Sequence, residues 1–420
     1  MESKQHRELL QKYAEAIVRV GLNLRAGQRL IITNATSRGV PPPARSLVHA
    51  VTKAAYAAGA RYVEVIWGDE EMLRLRLQHA PADSFGEYPT WIVSGILNMF
   101  EKGDALLSLY ANDPDVYQGL DSERVGAMQR SHLENWAPIS TLVTRNASNW
   151  SIAAAAAPAW AAKIFPNLPA EEAIEKLWQA IFETTRATAP DPVAAWEEHI
   201  KNLRKRAAYL QSKKYSALHY KSDQTDFTLG LPSGHKWISA QSLAENGIAF
   251  TANMPTEEVF TLPDRHRADG VVTSTFPLSY GGSLIEDFSV TFENGRIVKV
   301  AAKKNEALLQ KLVDTDEGST RLGEVALVPA SSPIAQRGHL FYNTLFDENA
   351  SCHIAIGRGY RFTLTGGEEL TDEEFNAAGG NTSLTHVDFM IGSPQMDIDG
   401  IKEDGTREPV MRQGEWAFDA

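Results

Sequence analysis

An imidazole and a carboxylate stand two positions apart in His386-Val387-Asp388, flanked by the apolar Phe389, Met390 and Ile391. In an extended chain, side chains two apart point to the same face. His386 and Asp388 therefore converge while Val387 and Phe389 turn away. Nitrogen and oxygen donors presented from one strand suit a divalent metal ion. Earlier in the chain, Asp347-Glu348-Asn349-Ala350-Ser351-Cys352-His353 brings a second imidazole among carboxylates. Alternation sends Cys352, Ile354 and Ile356 to one face and Ser351, His353 and Ala355 to the other. Cys352 then faces the core as a small hydrophobe and is not a nucleophile paired with His353.

Further acids fall in the same half. Glu257 and Glu258 sit between apolar residues in Asn253-Met254-Pro255-Thr256-Glu257-Glu258-Val259-Phe260. Alone they read more simply as the start of a helix or turn, where acids complement the dipole. Glu324 opens Glu324-Val325-Ala326-Leu327 and could be the exposed end of a strand. Gathered together, two Glu, two His and one Asp form a ligand set for Zn, Mn or Co. Bridging carboxylates could hold two ions about 3.5–4 Å apart, an arrangement that activates water for hydrolysis.

The elements that must position these groups differ between the two halves. Leu9, Leu10, Tyr13, Ile17 and Val20 recur at helical spacing over residues 8–20. Residues 28–33 read as a buried strand, 44–58 as an alanine-rich helix opened by Pro41-Pro42-Pro43, and 61–67 as a second strand. Strand, helix and strand with short connections make a βαβ unit and hence a parallel sheet. Residues 105–110 and 139–143 are expected to add strands to it. Helices follow at 171–186 and 192–211, the second placing Trp196, Ile200, Leu203 and Leu210 on one face. From Tyr215 onward the texture changes to short alternating strands. Glu293-Asn294-Gly295 between Phe288–Phe292 and Arg296–Val300 predicts a hairpin with a type I′ turn. The expected class is α/β, with an N-terminal parallel-sheet domain over 1–195 and a C-terminal α+β metal-binding domain over 196–420.

Composition excludes several functions. The 420 residues are 43% hydrophobic and 22% charged, ordinary values for a chain that buries a large core. A net charge of −12 argues against nucleic acid and anionic membranes as partners. No run of about 18 apolar residues is present, and the charged N-terminus lacks the apolar core of a signal peptide. With one cysteine the chain forms no internal disulfide, and the cytoplasm is the simplest compartment. No G-x-G-x-x-G follows the first strand and no P-loop occurs, so nucleotide binding is not expected.

Five ordered motifs then carry a resemblance: NMPTEEVFTLPDR at 253–265, GEVALVP at 323–329, LFDENASCHIAIG at 345–357, NTSLTHVDFMIGS at 381–393 and MDIDG at 396–400. With the layout of the N-terminal half, the chain resembles the aminopeptidase T and aminopeptidase S family of metallopeptidases over essentially its whole length. The resemblance implies a homodimeric two-metal exopeptidase. Its ligands carry over onto Glu258, Glu324, His353, His386 and Asp388, with spacing to Glu324 favouring Glu258 over Glu257. Its catalytic tyrosine falls on Tyr360.

On that basis the expected activity is release of N-terminal amino acids from peptides with a free N-terminus. Two divalent ions (Zn, Co or Mn) would activate water, Glu258 or Glu324 would carry its proton, and Tyr360 would stabilise the oxyanion. Two other readings compete: a metal-dependent hydrolase of a non-peptide amide, and a peptide- or metal-binding protein without turnover.

Overall fold

The computed structural model describes residues 3–36, 39–280 and 283–419; Met1 and Glu2 of the charged N-terminus lie outside them. The chain divides into two compact units. Met1–Glu198 with Gln241–Pro255 forms the first, and His199–Ala240 with Thr256–Ala420 the second.

The first unit holds a parallel sheet of β1 (Arg29–Thr33), β2 (Tyr62–Val65), β3 (Ala105–Tyr110) and β4 (Trp150–Ala154) in the order β2-β1-β3-β4. Leu30, Ile31 and Ile32 are buried without alternation, as expected where helices cover both faces of a parallel sheet. Helix Arg45–Ala57 connects β1 to β2. Gly59 follows its C-cap at φ 92°, a left-handed position that releases the chain toward β2.

The expectation of a strand at 139–143 is wrong. Those residues lie inside the helix Ser122–Thr144, with Ile139 and Leu142 buried at a spacing of three. A short apolar run fits strand and helix alike, and here the helical spacing prevails. The fourth strand is instead Trp150–Ala154, at the head of an alanine-rich run of low strand propensity.

Among the described residues, the second unit holds two sheets. The larger is antiparallel throughout its described strands, which include Ala217–Lys221, Asp226–Gly230, Ser283–Glu293, Arg296–Lys304 and Asp397–Ile401. In the hairpin, Asn294 and Gly295 both take positive φ (50° and 79°), as a type I′ turn requires. The smaller sheet is built from β5 (Val259–Thr261), β6 (Leu322–Leu327), β7 (His353–Gly357) and β8 (His386–Met390). Its order is β8-β7-β6-β5, again antiparallel. One face of it is dry: Val325, Ile354 and Phe389 are fully buried. Phe389 packs on Phe288 of the larger sheet with ring centres 5.2 Å apart. The other face carries the polar groups.

Candidate metal centre

Register decides which side chains meet. Glu324 of β6 stands opposite Ala355 of β7, and Ala355 opposite Asp388 of β8. One step along, His386 pairs with Gly357, and Ala326 with His353. Directly opposed residues in an antiparallel pair share a face, so Glu324, His353, His386 and Asp388 all rise from one side of the sheet. Glu258 ends the loop leading into β5. Val259, one residue on, pairs with Leu327, on the dry side, so alternation brings Glu258 to the polar side. Three strands and one strand entry thus feed one spot.

Distances match this reading. Donor atoms of Glu258, Glu324 and His353 all lie within 4.8 Å of one another, and all three residues are buried. His353 Nε2 is 3.1 Å from Glu258 Oε2 and 3.7 Å from Glu324 Oε1. His386 Nε2 is 3.8 Å from Glu324 Oε2 and 3.5 Å from Asp388 Oδ2. The Glu324 carboxylate therefore lies between the two imidazoles, one oxygen toward each. Glu257 is directed elsewhere, its Oε2 lying 3.5 Å from His199 Nε2.

The tautomers follow from the backbone. His353 Nδ1 is 3.0 Å from the Ser351 carbonyl, and His386 Nδ1 is 2.6 Å from the Arg358 carbonyl. A carbonyl only accepts, so each Nδ1 carries the hydrogen and each Nε2 turns to the carboxylates. That is how proteins orient imidazoles that bind metal.

Burial makes the acids costly as they stand. It raises the Glu324 carboxyl above its ordinary value; a hydrogen bond from His353 opposes this, and the Asp388 charge adds to it. For His353, burial alone favours the neutral ring, but the hydrogen bonds to Glu258 and Glu324 outweigh it and hold the imidazole well above its usual range. Among the described residues, Asp388 Oδ1 is buried with no hydrogen-bond donor, and Glu258 Oε2 has only His353 Nε2 at 3.1 Å beside it. Buried polar atoms are normally satisfied. An acid-rich nest of oxygen and nitrogen donors with a buried, unsatisfied carboxylate oxygen fits divalent cations.

Two more groups border the cluster. Burial, then the Glu324 and Asp388 charges, hold the Tyr360 phenol well above its ordinary value. Its ring stacks on Phe362 (5.3 Å, 19°) and lies 4.8 Å from the His386 ring. Glu348 is the residue that sequence reasoning quoted without giving it a role. Burial first, and then Glu258 and Asp388, push its carboxyl well above the usual range. Its signal was the acid-rich run at 347–348, but its approach to Glu258 is tertiary. Cys352 faces away from the site. Its thiol donates to the Val328 carbonyl (3.3 Å), and burial pushes it up to about 11.

A sheet face set with carboxylates and imidazoles defines a metal-binding hydrolase site. The family model described as thermophilic metalloprotease (M29) matches residues 6–416. Aminopeptidase AmpS of Bacillus subtilis (strain 168) is 47% identical over 409 residues, covering 97% of this chain and 98% of that protein. Aminopeptidase T of Thermus thermophilus is 46% identical over 407 residues, covering 97% and 98%. The solved structure of wild-type AmpT from Thermus thermophilus superposes with a TM-score of 0.92 at 45% identity, covering 98% of this chain and 99% of that one. The chain belongs to the thermophilic metalloprotease (M29) family.

Proposed function

We propose that the protein is a metal-dependent aminopeptidase that releases N-terminal residues from peptides, with its chemistry in the second unit. One observation carries this reading: four segments of the chain place Glu258, Glu324, His353, His386 and Asp388 around one spot on a sheet face. The names of the relatives, all aminopeptidases, supply the substrate class.

These five residues would hold two divalent cations (Zn, Co or Mn). When bound, the cations supply Lewis acidity that polarises the scissile carbonyl. His353 and His386 are held by their backbone carbonyls with Nε2 presented inward. Glu258 and Glu324 serve as ligands, which leaves Glu348, ionised once bound cations would offset the neighbouring carboxylate charges, to take a proton from the attacking water and return it to the leaving amine. The Tyr360 phenol, protonated at neutral pH, donates a hydrogen bond to the oxyanion, worth about 3 kcal/mol if it resembles other single donors. A free substrate amine meets this acidic nest with charge complementarity, which restricts cleavage to chain ends. We assign a homodimeric state by resemblance to the family, and a cytoplasmic setting. No helix among the described residues is long and apolar enough to cross a membrane.

The test is hydrolysis of leucine p-nitroanilide and a dipeptide panel with Mn, Co or Zn, with and without chelator. Metal-dependent release of the N-terminal residue is expected. Cleavage of acylated amines in preference to peptides would point to a non-peptide amide substrate. Metal binding without turnover of any substrate would mark a binding protein.

A further inference from the structure

Glu258 is held in place by a neighbour rather than by its own strand, because it lies in the loop before β5. The Glu257 N–H donates to Asn349 Oδ1 at 2.7 Å, a contact spanning 92 positions of sequence. On the previous residue, the Thr256 carbonyl accepts from His199 Nε2 at 2.8 Å. The short loop is therefore gripped on both sides just before its ligand.

Asn349 itself is completely buried and has little freedom. Its Nδ2 donates to the Leu345 carbonyl at 3.1 Å, and its own carbonyl accepts from Ser332 Oγ at 2.8 Å. It also directly follows Glu348. One amide thus ties the segment carrying Glu348 to the segment carrying Glu258.

We propose that Asn349 is a positioning residue that sets the separation of Glu258 and Glu348 through its hydrogen bond to the Glu257 N–H. This rests on the reading of Glu258 as a metal ligand and Glu348 as the proton carrier. A hydrogen bond on the backbone next to a ligand acts on metal affinity through geometry, and partners that orient ligands typically govern about 10–100-fold in affinity. The requirement is for an acceptor at Oδ1. Asn349→Asp, kept neutral by burial, retains that acceptor and offers its O–H to the Leu345 carbonyl in place of Nδ2, whereas Asn349→Leu fills the same space with neither.

The test loads metal-free wild-type and variant proteins with Co²⁺. Affinity is read by titration, coordination by the visible absorption of cobalt, and integrity by thermal unfolding without metal. Asn349→Leu is expected to bind cobalt about tenfold more weakly or worse, with an altered visible spectrum and a lower turnover of leucine p-nitroanilide. Asn349→Asp is expected to restore the wild-type spectrum and most of the affinity. If Asn349→Leu does not fold, Asn349→Ser serves instead, its hydroxyl being too short to reach the same N–H. Wild-type affinity and spectrum in Asn349→Leu, or an equal loss in Asn349→Asp, would overturn the proposal. Wild-type protein that binds cobalt but cleaves no aminoacyl amide would remove the aminopeptidase reading alone, since the affinity comparison still decides the role of Asn349. Wild-type protein that binds no cobalt would remove both.

Discussion

Glu324 and Asp388 face each other across Ala355, each register-paired with it from the strand on either side. Adjacent strands lie about 4.8 Å apart, so the two carboxylates flank the width of one strand whose central side chain is a single methyl. Ala326, paired with His353, keeps the next position equally small. The open space between the carboxylates is thus made by alanines as much as by the acids themselves.

Replacing Ala355 with Val tests that room directly. Valine suits a strand but projects two more methyl groups between Glu324 and Asp388. Overpacking of this kind costs about 1–3 kcal/mol, which the fold should survive. Loss of bound metal and of peptidase activity is expected, with a cooperative thermal transition retained. Metal content by atomic absorption, alongside activity, decides it.

Glu348→Gln removes the carboxyl proposed to carry the proton while keeping volume and polarity. General-base groups contribute about 10²–10⁴-fold, and kcat should fall on that scale. Metal content should stay near wild type. A variant with wild-type kcat would return the base role to Glu258 or Glu324.

Tyr360→Phe leaves the stacking on Phe362 and the contact with His386 in place and deletes only the hydroxyl. Removal of one oxyanion donor lowers kcat by about 10²–10³-fold. KM and metal affinity should change little. Unchanged turnover would show that the phenol has no chemical role.

A pH-dependent contribution to stability lies away from the site. Glu408 Oε1 is 2.5 Å from Lys402 Nζ, and Oε2 is 2.9 Å from Lys213 Nζ. Lys402 first, and then Lys213, lower its carboxyl to about 2. A folded value below the unfolded one means stability that is present above about pH 4.3 and lost as pH falls through about 2. The difference in unfolding midpoint between wild type and Glu408→Gln should therefore be constant above about pH 5 and close toward pH 2. Urea titrations across that range measure it. A gap that widens in acid would contradict the assignment.

Legibility in the sequence tracked how local each cause is. The shared face of His386 and Asp388, and the inward turn of Cys352, follow from a two-residue period, and both are seen in the structure. The Asn294-Gly295 hairpin was readable because two adjacent positive φ angles select those residues. The row Glu324, Ala355, Asp388 was not readable, since register between strands distant in sequence depends on the whole packed unit. The same holds for Glu348, which is half-buried and whose significance lies in the Glu258 and Asp388 charges near it. The strand expected at 139–143 failed because an apolar run that short carries two periods at once. The true strand, Trp150–Ala154, is masked by its alanines.

Anomalous diffraction from crystals soaked in manganese or zinc tests the centre most directly. Two ion peaks per chain are expected, bounded by Glu258, Glu324, His353, His386 and Asp388. Peaks dispersed over other surfaces, with none between these five side chains, would contradict it.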